Sequence, residues 1–294
     1  MNLLIASGVM GDFLDRRRIL RRVLAKRVLV VAILLPIGLA LIYYGGVPYA
    51  LMIVLIVGLA SWEYVNIFRA GGLKPALIWV PLGSILFVAG RAINGFESTP
   101  WILSLVILVS MAYHLVDYER GRDQAATDFG ITLTGILYFG WLGSYLISLR
   151  MLDEGLWWVL LVLPAVWLAD SGAYFVGRSL GRHNMSPRLS PKKTWEGYLG
   201  GVIVAAVGTA LLALIWMNWA GPDTAITPWW GAILGLILAV VTPLGDLGES
   251  MIKRQFGVKD SSNLLPGHGG VFDRIDSWLW AGVIGYYLIV WLFL

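Results

Sequence analysis

The stretch from Ser250 to Asp276 sets Lys253, Arg254, Lys259 and Arg274 among Asp260, Asp273, Asp276 and His268, with Pro266, Gly267, Gly269 and Gly270 bending the chain between them. Cations that meet phosphate, carboxylates that hold a divalent metal and glycines that open the backbone are the parts of a phosphoryl- or nucleotidyl-transfer site. Long hydrophobic runs flank the stretch on both sides. A chain embedded in lipid has no need of so much charge merely to stay folded, so one substrate is expected to be a lipid.

The runs leading into this segment carry acids of their own. Thr242-Pro243-Leu244-Gly245-Asp246-Leu247-Gly248-Glu249-Ser250 lies within a hydrophobic span, as does Asp170-Ser171-Gly172-Ala173-Tyr174. A carboxylate inside a span costs at least about 2.5–3.5 kcal/mol on insertion scales, so it faces a polar cavity and serves function by default. Pro243 and Gly245 are expected to break the helix just before Asp246. Helix resuming beyond the break puts Asp246, Glu249 and Ser250 on one face, and Asp273 and Asp276 repeat the i, i+3 relation. Two acidic pairs can therefore converge on one cation, although Asp276, just before Ser277, also suits a helix N-cap. Glu63, in Ser61-Trp62-Glu63-Tyr64, fits helix–helix hydrogen bonding as well as catalysis. His114 and His183 read as interface or surface residues.

A second polar loop contains Ser190-Pro191-Lys192-Lys193-Thr194-Trp195-Glu196-Gly197 just ahead of a predicted helix. Free N–H groups at a helix N-terminus attract phosphate, and lysines add point charge for a polyphosphate. Ordinary topogenic charge is the competing reading of these lysines. At His268-Gly269-Gly270 the glycines permit close backbone approach to a ligand, and the imidazole can donate to phosphate; a tight turn with a bystander histidine is the alternative.

Behind these loops stands a membrane scaffold. The 294 residues are 58% hydrophobic and only 14% charged, with a mean hydropathy of +0.76; soluble domains carry nearer a quarter charged residues. The pattern predicts an all-α polytopic protein with nine spans near 28–46, 48–68, 76–93, 101–117, 130–149, 156–177, 198–219, 229–252 and 277–294. With the amino terminus inside and the carboxyl terminus outside, all but Arg91 and Arg150 of the 22 Lys and Arg residues fall on the cytoplasmic side, as the positive-inside rule requires. The net charge of +4 therefore reflects topology, with no nucleic-acid partner implied. Residues 1–27 mix arginines with apolar residues at helical spacing, which suggests an amphipathic segment on anionic lipid or simply a topogenic cluster. The first apolar run is full length and is expected to be retained rather than cleaved. Residues 28–160 form N-terminal spans, and 161–294 a catalytic region with cytoplasmic loops 178–197 and 253–276. The absence of Cys excludes disulfides, thiolate metal sites and a cysteine nucleophile. There is no Walker A sequence, HExxH or nucleophilic serine elbow.

At these residues the chain resembles the phosphatidate cytidylyltransferases, or CDP-diacylglycerol synthases. Ser250, an aliphatic at Ile252, Lys253-Arg254, Lys259-Asp260, Pro266-Gly267-His268-Gly269-Gly270 and Asp273-Arg274-Ile275-Asp276 follow that family's signature without departure. The Asp170 and Ser190–Gly197 segments are also similar to family motifs, so the resemblance covers roughly residues 165–280. It implies transfer of a cytidylyl group from CTP to phosphatidate with Mg²⁺, in the cell membrane and with the site facing the cytoplasm. Asp246, Asp273 and Asp276 then form the metal cluster, with Asp170 and Glu249 lining the same cavity and room for a second cation. Lys192, Lys193, Lys253, Arg254, Lys259 and Arg274 are implied as triphosphate ligands, with Ser190, Thr194, Gly269 and Gly270 at the substrate and His268 among the catalytic groups. Whether the active unit is a homodimer stays open. Two other readings compete: a CTP-dependent lipid kinase acting on a polyprenol-type alcohol, and a cation-coupled transporter.

Overall fold

The computed structural model describes residues 28–221 and 223–293; the predicted amphipathic segment 1–27 lies outside them. The chain is an all-α, multi-pass membrane protein. Among the described residues, seven helical runs are long and apolar enough to cross a membrane. A shorter apolar helix, α1 (Val28–Tyr44), precedes them.

The first half packs α2 (Gly46–Ala70) against α3 (Trp79–Asn94). After a 3₁₀ turn at Gly95–Ser98, α4 (Thr99–Glu119) runs back along α3. Trp79 Nε1 donates to Ser110 Oγ at 2.9 Å across 31 positions. A straight helix would hold those residues about 46 Å apart, so the 41-residue helical run Trp79–Glu119 is a hairpin. Next come α5 (Ala125–Gly135), a π-helical segment at Ile136–Trp141 and α6 (Leu142–Met151). The π segment turns Phe139 onto Phe272, with ring centroids 4.8 Å apart; such insertions often stand beside functional sites.

The second half is built on small residues. In α8 (Trp195–Ala220) the buried positions are Gly197, Gly201, Ala205, Thr209 and Ala213, a stripe at every fourth residue. Leu199, Ile203, Val207 and Leu211 form the exposed stripe. The small face lets α7 (Gly155–Leu180) approach until a Cβ at Gly197 would stand 2.7 Å from the Ala173 carbonyl. On the other side, a Cβ at Gly235 of α9 (Pro228–Val241) would stand 2.7 Å from Thr209 Oγ1. Close backbone approach through small residues is how helices associate where lipid offers no hydrophobic drive. The carboxyl-terminal elements are α10 (Pro243–Gln255) and α11 (Phe272–Phe293).

Several boundaries differ from the sequence expectation. The last helix begins at Phe272, so Asp276 lies inside it and is not its N-cap; Pro-Gly-rich sequence ends at Gly270, and nothing after it opposes helix. The connection between α7 and α8 also holds a short antiparallel hairpin, β1 (Asn184–Ser186) with β2 (Ser190–Thr194). His114 is buried, with Nε2 2.8 Å from Thr132 Oγ1 and Nδ1 3.7 Å from Asp117. His183 is exposed and lies 2.5 Å from Glu196. Near His114, Arg122 donates to Asp128 at 2.7 Å, a bond that holds the guanidinium above its usual range.

Candidate active site

Pro243 supplies no N–H to the preceding turn, and the helix is interrupted at Thr242 as expected. Asp246 therefore falls in the first turn of α10, where a carboxylate meets the positive end of the helix. It lies about 13 Å along the axis from Gln255 at the polar end of that helix. Gly245 is what brings α10 onto α11: a Cβ there would stand 2.6 Å from the Asp276 carbonyl and 2.8 Å from the Trp280 ring.

That contact assembles the acids. Oxygens of Asp246, Glu249 and Asp276 all lie within 4.8 Å of one another, and Ser250 Oγ donates to Asp246 at 3.4 Å. Glu249 and Asp276 are buried, while Asp246 is about one-third exposed. Three carboxylates without nitrogen or sulfur donors fit a hard divalent cation, which takes oxygen ligands and keeps sites for water or substrate phosphate.

Asp273, one turn earlier on α11, has a different surrounding. Its Oδ1 accepts from Lys253 Nζ at 2.6 Å. Its Oδ2 accepts from the backbone N–H of Gly270 at 2.7 Å, and from the N–H and Oγ of Ser261 at 2.9 Å each. The carboxylate is thus occupied in holding the loop. Lys253 Nζ also lies 3.0 Å from Glu249 Oε1, so one buried ammonium joins Asp273 to the three-acid group.

These groups open on a cavity of 430 Å³. Asp170 and Tyr174 of α7 form one wall, and Lys192, Lys193 and Thr194 of β2 form the rim; Asp246, Glu249, Lys253, Asp273, Arg274 and Asp276 complete the lining. Thr194 caps α8 by accepting from the Gly197 N–H at 3.1 Å, so the helix N-terminus and both lysines border the same space. Lys193 forms an ion pair with Asp246. Each hairpin lysine thereby stands where it can reach a polyphosphate, and one already touches the acids.

Six of the residues singled out in the sequence do not line this cavity: Ser190, Arg254, Lys259, His268, Gly269 and Gly270. Arg254 reaches forward to the Val258 carbonyl at 3.3 Å, and Lys259 is exposed on the loop. His268 sits in a tight turn closed by the Leu265–Gly269 bridge, with its N–H donating to Leu265 O at 2.9 Å. Gly269 has φ +85°, in the region that favours glycine. A Cβ at Gly270 would collide with Ser261 Oγ and both oxygens of Glu63. Two further residues belong here, Asp260, which the sequence reading gave no role, and Glu63, which it left open between helix–helix hydrogen bonding and catalysis. Asp260 lines the cavity, its signal being the Lys-Asp pair at 259–260. Glu63 is fully buried and faces four donors from the loop and the first residue of α11; a mid-span acid was the available signal.

Comparison with known proteins matches residues 25–292 to a family described as the cytidylyltransferase family. The chain is 32% identical over 311 residues to a phosphatidate cytidylyltransferase of Synechocystis sp., covering 90% of this chain and 96% of that one. It is 35% identical over 276 residues to one of Pseudomonas aeruginosa, covering 91% and 97%. A Bacillus subtilis protein of the same name is 33% identical over 258 residues, covering 85% and 92%.

Proposed function

This chain belongs to the cytidylyltransferase family, and from that premise we propose that it transfers the cytidylyl group of CTP to phosphatidate, releasing pyrophosphate and forming CDP-diacylglycerol. The observation that carries the reading is the meeting of Asp246, Glu249 and Asp276 beneath a rim of Lys192 and Lys193. An oxygen of the phosphatidate phosphomonoester forms the new bond to the α-phosphorus of CTP, and the bond from that phosphorus to the β-phosphate bridge oxygen breaks. A phosphomonoester's second pKa is about 6, so the nucleophile is already an anion near neutral pH and needs no strong base. What this chain's residues must do is place the two substrates and offset their charge.

Asp246, Glu249 and Asp276 are the ligands we assign to Mg²⁺, which supplies charge neutralisation at the phosphates when bound. Asp170 stands across the cavity and Asp273 holds Lys253. Lys192, Lys193 and Arg274 face the space a triphosphate would fill. Because Lys193 pairs with Asp246, its ammonium is handed from carboxylate to phosphate as the nucleotide arrives. Lys193→Ala is therefore expected to raise KM for CTP about tenfold, the size of one charge-assisted hydrogen bond. Steady-state assays at saturating phosphatidate would measure this.

The orientation belongs to the same proposal. Nine passes follow if α1 crosses and Trp79–Glu119 counts as two, with the amino terminus inside. Arg91 donates to Ser148 at 2.9 Å, and Arg150 donates to the Ile42 carbonyl at 2.8 Å. The two exceptions to the positive-inside pattern thus share one end of the bundle, away from the hairpin lysines, which supports a site facing the cytoplasm.

Label position decides between this reaction and a lipid kinase using CTP. With purified protein and phosphatidate vesicles, α-labelled CTP should mark the lipid and γ-labelled CTP should leave its label in pyrophosphate. Lipid labelled from the γ-position would overturn the assignment. Cation uptake into vesicles without nucleotide would favour the transporter.

A further inference from the structure

We propose that Glu63, on α2 and outside the cavity lining, is a positioning residue that holds the 256–271 loop in its working conformation; this rests on the cytidylyl-transfer reading. The Glu63 side chain has no exposed surface, and its two oxygens face four donors from this loop and the first residue of α11. Oε1 accepts from Ser262 Oγ at 2.5 Å and the Val271 N–H at 3.0 Å. Oε2 accepts from Ser261 Oγ at 3.0 Å and the Phe272 N–H at 2.8 Å.

Two of those donors are backbone N–H groups at the start of α11, which have no intrahelical acceptor. A carboxylate from a different helix supplies it, and its charge suits the positive end of α11. No helix-forming rule demands a cap that comes from about 200 residues away. It fixes α11, and hence Asp276, relative to α2.

The other two donors start a chain of contacts that ends at the acids. Ser261 stands between Glu63 and Asp273, with its single hydroxyl proton serving one carboxylate at a time. Asp273 holds Lys253, and Lys253 meets Glu249. Gly270 leaves the room that lets Glu63 and Ser261 meet. Removing the Glu63 charge therefore loosens Asp273 and Lys253.

Glu63→Gln keeps the side-chain size and turns an NH₂ toward donors. Together with Ser261→Ala and the double variant, it is to be compared by kcat, KM for CTP and amide hydrogen exchange across 261–272. Each single variant is expected to lower kcat about tenfold, with KM changed less than about twofold; the double should be no worse than the more severe single, as for residues acting through one path. Exchange at Val271 and Phe272 should accelerate at least about tenfold in Glu63→Gln. Unchanged exchange would remove the anchor. Faster exchange with unchanged kcat, or kcat losses that multiply in the double, would remove the positioning role. A wild-type protein that makes no CDP-lipid would instead overturn the reaction assigned above, while the exchange comparison would still judge the anchor.

Discussion

Asp246→Asn is expected to lower cytidylyl transfer by roughly 10³-fold or more while leaving the protein as stable as before. The carboxylate oxygens of Asp246, Glu249 and Asp276 converge within 4.8 Å, and the stabilisation such a site gives to phosphate charge amounts to several kcal/mol. Asparagine has the same shape and one fewer charge. Nothing in the packing is lost except the ion pair with Lys193, and that pair is about one-third exposed on both sides, so its contribution to stability is at most about 1 kcal/mol. Activity from α-labelled CTP and melting of the detergent-solubilised protein would be read on the same preparations. A variant with near wild-type turnover at saturating Mg²⁺ would exclude Asp246 from the ligand set proposed for that ion.

Lys253→Met is expected to fail in the opposite way, losing stability together with activity. The ammonium is buried, 2.6 Å from Asp273 and 3.0 Å from Glu249. Removing it leaves two carboxylates facing each other without a counter-charge. Breaking a buried pair from one side costs roughly 3–5 kcal/mol, a fall in melting temperature on the order of 10 °C for a chain of this size. Adding Glu249→Gln should return part of that stability, because one of the stranded charges is removed; it should not return activity, because an acid of the cluster goes with it. If the double variant melts no higher than Lys253→Met alone, Lys253 is not the counter-ion of Glu249.

Much of this site is legible in the sequence alone. Pro243 and Gly245 marked the interruption ahead of Asp246, and the i, i+3 spacing put Asp246 and Glu249 on one face. Hydropathy alone placed the apolar helices within a few residues, and seven helical runs among the described residues are long and apolar enough to cross a membrane. What the sequence could not provide was partner choice. Asp273 and Asp276 look equivalent as letters, yet one turn of helix and the position of Ser261 commit Asp273 to the loop and leave Asp276 facing the α10 acids. Gly269 and Gly270 signalled close approach, which was read as approach to a ligand; the closest atoms at Gly270 belong to Glu63 and Ser261. Glu63 itself is about 200 positions from the groups it binds, and no local periodicity encodes a contact at that separation. The β1–β2 hairpin was also hidden, since a three-residue strand is too short for alternation to be read.

The first-turn placement of Asp246 on α10, about 13 Å from the end at Gln255, has a bearing on how a diacyl substrate is handled. Lifting such a molecule into water forfeits about 0.8 kcal/mol for every methylene stripped of its neighbours. On the proposed orientation the acids lie toward the hydrocarbon, so the polar head comes down to them while both tails stay in the leaflet. The water-soluble partner makes the longer journey, and its polyphosphate, unlike an acyl tail, finds lysines waiting along the way.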